Sequence, residues 1–147
     1  MTTDDEDALH LLDVNVLLAL GLPSHVHHER AHRWFDGQKR WCTTPITEIG
    51  LVRLVTQPAI AGERVAMSAA LELLVSLRKV AGHRFLPDDA SPAEGRIALT
   101  RLSSSRDVTD AHLVDLAARH GAILATLDRG IPALLEDDDR RHVLVIP

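Results

Sequence analysis

Four carboxylates stand in or beside apolar segments, one in each quarter of this 147-residue chain, and no feature restricts its fold more. They are Asp13 in Leu11-Leu12-Asp13-Val14-Asn15, Glu48 in Thr47-Glu48-Ile49-Gly50, Asp110 in Thr109-Asp110-Ala111-His112-Leu113, and Asp128 in Thr126-Leu127-Asp128-Arg129-Gly130. A buried, unpaired carboxylate is strongly destabilising, so a fold that keeps all four must gather them around a shared cation.

Hydrophobic periodicity says how that gathering could occur. Residues 9–13 form a short apolar run suited to a buried strand, followed at once by a helical pattern over 14–20 and a Gly21-Leu22-Pro23 stop. A helix over 25–36 ends at Gly37, and a strand covers Arg40–Thr43. Thr44-Pro45 then supplies an N-cap and a proline at the first helical position, for a helix running to about Thr56. The longest helix is expected over 63–80, with Ala70, Leu73, Leu74 and Leu77 on one face. A strand over 83–86 and helices over 93–103 and 109–120 follow, the last capped by Thr109 and closed by Gly121. Residues 122–126 read as a strand, 131–136 as a short helix, and 142–146 as a final strand. Strands alternating with helices imply an α/β fold with a parallel sheet covered on both faces. Sites in such sheets form beyond the carboxyl ends of the strands, where Asp13 and Asp128 fall.

Singly, three of the acids have ordinary explanations. Asp13 could cap the following helix, Asp110 could face the positive end of a helix dipole, and Asp128 could begin an Asp-Arg-Gly turn. Glu48 resists this treatment, because with Thr44 as cap the capping-box position is Thr47. It also shares a helix side with Val52 and Val55. Oxygen-only ligands select a hard ion, Mg²⁺ with Mn²⁺ as substitute. Such an ion suits phosphodiester hydrolysis, with Asn15 or Thr126 positioning a carboxylate or water. Asp107 and Asp115 are set aside: the first precedes the expected cap, and the second lies about 140° around the helix from Asp110.

The net charge of −5 argues against a nucleic-acid partner only superficially. Residues 4–7 and 136–139 hold eight of the 21 acids, leaving 13 against 16 Lys and Arg. Arg53 and Arg129 are the candidate phosphate contacts, with Arg78, Lys79, Arg96, Arg101 and Arg106 as further local cations. With only Trp34, Phe35, Trp41 and Phe85 as aromatics, a base-stacking platform is not expected. The sole cysteine, Cys42, excludes an internal disulfide, and the run 14–22 is too short to span a bilayer. The start of the chain lacks the basic-then-apolar order of a signal peptide, so a reducing cytoplasmic setting is expected.

Two other motifs compete. His28-Glu29-Arg30-Ala31-His32 matches the zinc-protease pattern H-E-x-x-H, but no third ligand is evident and the surrounding residues are polar. Its helix is expected to pack Val26, Ala31, Trp34 and Phe35 against the body. Asp13-x-Asn15 matches the strand-end nucleophile of some phosphotransferases, except that Asn15 replaces the second acid those enzymes need.

The four acidic segments, in this order and spacing, resemble those of the PIN-domain nucleases, and most nearly the VapC-type ribonuclease toxins of type II toxin–antitoxin systems. The resemblance runs from about Leu9 to Pro147 and implies a single domain, with residues 1–8 as an acidic extension. It implies a three-layer α/β/α fold with a five-stranded parallel sheet, and Mg²⁺-dependent endoribonuclease activity on RNA such as tRNA or rRNA. By motif, Asp13 and Asp110 would be the principal metal ligands and Asp128 would complete the pocket. Glu48 would ligate through water or act as base, and Asn15 and Thr126 would support. A cognate VapB-like antitoxin covering the site and a homodimer are also implied, with Trp34, Phe35 and the apolar face over 51–55 as possible dimer contacts. The alternative is a non-catalytic copy of the same fold that only binds RNA or a partner.

Overall fold

The structure, a computed structural model, describes residues 7–147. Of the acidic extension expected over 1–8, residues 1–6 lie outside the described ones; Asp7 pairs with Lys39 at 3.2 Å.

Five parallel strands form one sheet in the order β3-β2-β1-β4-β5. They are β1 (Leu9–Leu12), β2 (Arg40–Thr43), β3 (His83–Phe85), β4 (Ile123–Thr126) and β5 (Val143–Val145). Their helices are α1 (Val14–Gly21), α2 (His28–Phe35), α3 (Pro45–Val55), the single turn α4 (Pro58–Ala61), α5 (Met67–Arg78) and α6 (Val108–Arg119). The chain leaves β1 toward β2 and β3, then returns to the other side of β1 through β4. The strand order therefore reverses between β1 and β4, with Leu11 beside Leu124 and Leu12 beside Ala125. Ligands bind at such reversals in open parallel sheets.

The period of two along each strand builds two cores. Leu9, Leu11, Cys42 and Leu124 face α6, where Leu113, Leu116 and Ala117 cover them. Leu12, Trp41, Ala125 and Ile146 face the opposite layer, formed by α1, Trp34 of α2, Leu51 and Val55 of α3, and Ala70 of α5. The layers number three, as expected. Leu11, Leu12 and Leu124 are wholly buried, each worth about 1.5–3 kcal/mol. The Cys42 thiol lies in this interior, and burial pushes it up to about 12, so it is un-ionised and inert. Gly50 permits the contact of α3 with α1, since a Cβ there would stand 2.7 Å from a methyl of Val14. Among the described residues no helix is long and apolar enough to cross a membrane.

Several expected elements shift. The helix expected from residue 25 begins at His28, after Pro23-Ser24 and a turn, which leaves Val26 87% exposed instead of packed. The long helix expected from 63 begins at Met67, because Gly62 takes a left-handed φ of 77° and ends α4. No α-helix spans 93–103. Short 3-10 turns occupy Pro92–Glu94 and Leu99–Arg101, separated by an extended Gly95, and Ser91 bonds the first turn locally. The helix expected over 131–136 is likewise one 3-10 turn, Pro132–Leu134. Thr44 holds the cap position, but among the described residues its buried hydroxyl makes no hydrogen bond. The Thr47 hydroxyl instead accepts from the Thr44 N–H at 3.1 Å and donates to the Thr44 carbonyl at 3.0 Å. Trp34, Leu51 and Val55 are buried, so these do not offer a free surface for dimer contacts.

Candidate active site

Asp13 leaves the end of β1 in an extended conformation and caps α1. Its Oδ1 accepts from the Val14 N–H at 2.7 Å, and its own N–H donates to the Ala125 carbonyl at 2.9 Å. From the end of β4, Thr126 Oγ1 donates to Asp13 Oδ2 at 2.7 Å. The same hydroxyl accepts from Asn15 Nδ2 at 3.2 Å and from the Asp128 N–H at 3.1 Å, which uses both lone pairs and its one proton. Asn15 Oδ1 accepts from the Leu127 N–H at 3.1 Å. Residues 111 positions apart along the chain thus lock two strand ends together and fix the carboxylate of Asp13.

Asp110 enters from the third layer, in the first turn of α6. A cleft of about 380 Å³ lies between α1, α3 and α6, with Asp13 and Asp110 in its wall beside Ile46, Gly50 and Arg53. Arg53 is exposed there, and Arg129 is exposed on the turn that follows Asp128. Asp128 itself closes that turn, its Oδ1 accepting from the Gly130 N–H at 2.8 Å.

Burial holds the Asp13 carboxyl above the usual carboxylate range. The bonds from Thr126 and Val14 oppose this, and the charge of Asp128 adds to it. Asp110 is pushed up to about 6, first by burial, then by the charges of Asp13, Asp128 and Asp107. Three of the four singled-out acids therefore share one electrostatic neighbourhood, and a fourth member, Asp107, joins them. On sequence Asp107 precedes the expected cap, Thr109. The cap lies two residues earlier, at Asp107, and the helix starts at Val108. The signal available was Ser104, whose side chain bonds the Arg106 N–H and starts the 3-10 turn leading into α6.

Glu48 stands elsewhere. Its Oε1 accepts from Thr43 Oγ1 at 2.8 Å and faces the Arg78 guanidinium at 3.6 Å. Those partners turn it toward the opposite edge of α3, where it borders an apolar groove of about 440 Å³ between α3 and α5. Asp115 is buried on the far side of α6, accepting from the Arg96 N–H at 2.9 Å and from Arg119 Nε at 3.4 Å.

A divalent cation fits the chemistry of this donor set. Mutually repelling oxygen ligands with raised proton affinity are what a hard cation relieves, and the bonded oxygens of Asp13 each keep a second lone pair. As they stand, no three His, Cys, Asp or Glu side chains among the described residues converge on one point. The H-E-x-x-H pair is committed differently. His28 Nδ1 donates to the Ala19 carbonyl at 2.7 Å and His32 Nε2 to the Leu20 carbonyl at 3.0 Å, which ties α2 to the end of α1.

The family model of the PIN domain matches residues 10–135. Ribonuclease VapC38 of Mycobacterium tuberculosis is 44% identical over 135 residues, which cover 90% of this chain and 94% of that protein. Ribonuclease VapC39 of the same species is 44% identical over 124 residues, covering 82% and 89% of the two chains. Among solved structures, the M. tuberculosis sarcin–ricin loop cleaving toxin VapC20 aligns with a TM-score of 0.57 at 15% identity, over 82% of this chain and 90% of that one, a likeness of fold. The chain belongs to the PIN domain family and, within it, to the VapC proteins.

Proposed function

We propose that this chain is a divalent-metal-dependent endoribonuclease and the toxin of a toxin–antitoxin pair, acting as a single domain in the cytoplasm. The observation that carries the reading is the Asp13–Thr126–Asn15 lock, which sets a buried carboxylate at the strand reversal among other acids. Relatives named as ribonucleases, over nearly their whole length, support the same reading.

Asp13, Asp110 and Asp128 would hold Mg²⁺, or Mn²⁺ in its place. The ion when bound shields the charge that develops on a phosphodiester and acidifies water. The chain's own part is to hold these ligands rigidly through Thr126 and Asn15, and to draw the phosphate with Arg53 and Arg129. Glu48, in the role of base or of a ligand through water, would have to leave Thr43 and Arg78. Structured RNA such as tRNA or rRNA is the proposed substrate. A VapB-like antitoxin would cover the site, and the apolar groove bordered by Ile49, Met67, Leu71 and Phe85 is the surface open to such a partner or to a second copy.

Purified protein incubated with RNA tests the reading. Cleavage should stop in EDTA and return with Mg²⁺ or Mn²⁺, and Asp13→Asn should be inactive at wild-type fold content. Cleavage that persists in EDTA, or equal cleavage by Asp13→Asn, would falsify it. The reading of a non-catalytic binding protein predicts RNA retention without cut ends in all these samples.

A further inference from the structure

A second cleft, of about 300 Å³, adjoins the acidic one. Ile46 and Thr109 line both, so the two are continuous across α3 and the start of α6. Its walls are apolar at Ile46, Ala90, Pro92 and Val108, and one polar pair stands in it, Asp88 with His112. His112 Nε2 lies 2.9 Å from Asp88 Oδ1 and fixes that carboxylate. Next to it, Asp89 Oδ1 lies 2.8 Å from His120 Nε2, so two consecutive aspartates strap the loop 87–91 to α6 and the residue that ends it. The strap explains why a loop without regular structure makes a fixed wall. It does not explain Asp88 Oδ2, for which no partner appears among the hydrogen bonds of the described residues.

We propose that this second cleft recognises a guanine base next to the phosphate cleaved in the acidic cleft, an inference that rests on the ribonuclease reading. The volume sits at the small end of ligand pockets and suits a single base over a mostly apolar floor. RNA-binding proteins read unstacked bases by their Watson–Crick edges, and a carboxylate can only accept hydrogen bonds there. Guanine alone presents two adjacent donors on that edge, N1–H and the 2-amino group, which match the two oxygens of a carboxylate. Each carboxylate oxygen has two lone pairs, so the bond to His112 leaves Asp88 Oδ1 able to accept once more. Thr109, which lines both clefts, stands where they meet. Asp88 and His112 take no part in bond breaking, since neither reaches the acidic cleft's walls.

A pool of random-sequence RNA, cut by the full chain with Mg²⁺ or Mn²⁺ and sequenced at its cut ends, tests this. Wild type should show guanosine enriched about tenfold at one nucleotide beside the cut, the scale of a bidentate base contact. Asp88→Asn, which keeps an acceptor for His112 but replaces one oxygen with a donor, should lose that enrichment, with cutting at guanosine falling to the level of the other three bases. Asp89→Asn releases the other strap and should keep it, which separates base reading from a loosened loop. In a defined substrate, inosine at that nucleotide removes the 2-amino group. It should slow wild type about threefold, the share of one hydrogen bond in that contact, and leave Asp88→Asn unaffected. Cutting without guanosine enrichment, or enrichment that survives Asp88→Asn, overturns the subsite and leaves the nuclease standing. If wild type cuts nothing, both readings fall together.

Discussion

Asp13 and Asp115 are both buried carboxylates, one at the acidic edge of the sheet and one on the far side of α6, and their surroundings are opposite. Asp115 receives a guanidinium and a backbone N–H, so its charge is answered inside the protein. Asp13 receives a hydroxyl and a backbone N–H, both neutral, and faces Asp128 and Asp110. A buried anion matched by a cation is a structural joint. A buried anion matched only by neutral donors, with other anions beside it, is left with its charge unanswered, which is what the proposed cation would relieve. Burial alone does not separate the two; the sign of what surrounds the carboxylate does.

That contrast is sharpest under substitution. Asp13→Asn keeps the shape and one acceptor oxygen but sets an amide nitrogen against one of the two donors, Val14 N–H or the Thr126 hydroxyl. That mismatch costs about 1–3 kcal/mol. Removing a charge next to Asp110 and Asp128 offsets it in part, so the fold should persist. RNA cleavage should fall about a thousandfold, the scale of losing a principal electrostatic group from an active site. Circular dichroism beside a cleavage assay checks both halves, and a variant that unfolds would reduce Asp13 to a joint like Asp115.

Asp115→Ala should do the reverse. It strands the Arg96 N–H and takes the carboxylate from the Arg119 guanidinium, which keeps the Glu94 carbonyl. Because Arg119 is also partly solvated the cost should be about 2–3 kcal/mol. For a chain of this size that lowers the melting midpoint by roughly 5–10 °C. Cleavage per folded molecule at low temperature should be unchanged; a loss there would place Asp115 with the catalytic acids. Smaller again is Thr126→Val, which removes the donor to Asp13 at nearly constant volume. Supporting contacts of this kind are worth about ten- to a hundredfold in metal affinity or activity, so cleavage at limiting Mg²⁺ should drop about tenfold and recover in part at high Mg²⁺.

The contrast also marks how far the sequence could be read. Short apolar runs bounded by Gly, Pro and helix caps located all five strands to within a residue or two, because a strand buried on both faces leaves little choice of residue. Asp13 and Asp128 were placed at one edge from that alone. The side chain of Glu48 was not, because its direction depends on Thr43 and Arg78, five and thirty residues away, and spacing along α3 carries no trace of either. The composition of residues 93–103 allows a helix. The Gly95 break and the local bond of Ser91 decided otherwise, and Ile97 is buried against α6 from an irregular chain. Asp107 is not legible because the cap of α6 stands two residues before Thr109.

The finest test of the contrast uses pH on metal-free protein. The folded Asp110 binds its proton at about 6, above the ordinary carboxylate value of 3.8, so its ionised form opposes folding. Above pH 6 the group is charged in both states and the penalty is complete. As pH falls from about 6 to 3.8 the folded state takes up a proton before the unfolded state does, and stability from this group rises. Below 3.8 both states are protonated and nothing further is gained. Asp110→Asn should therefore be more stable than wild type at pH 7, by roughly 1 kcal/mol once solvent screening of this half-buried group is allowed for. That is about 2–4 °C in melting midpoint, shrinking to nothing near pH 4. Saturating Mg²⁺ should reverse the order at pH 7, because it stabilises only the chain that keeps its ligands. For Asp115→Asn no such reversal is expected at any pH. A metal-free Asp110→Asn less stable than wild type at pH 7 would mean that its carboxylate is already answered within the chain, as that of Asp115 is.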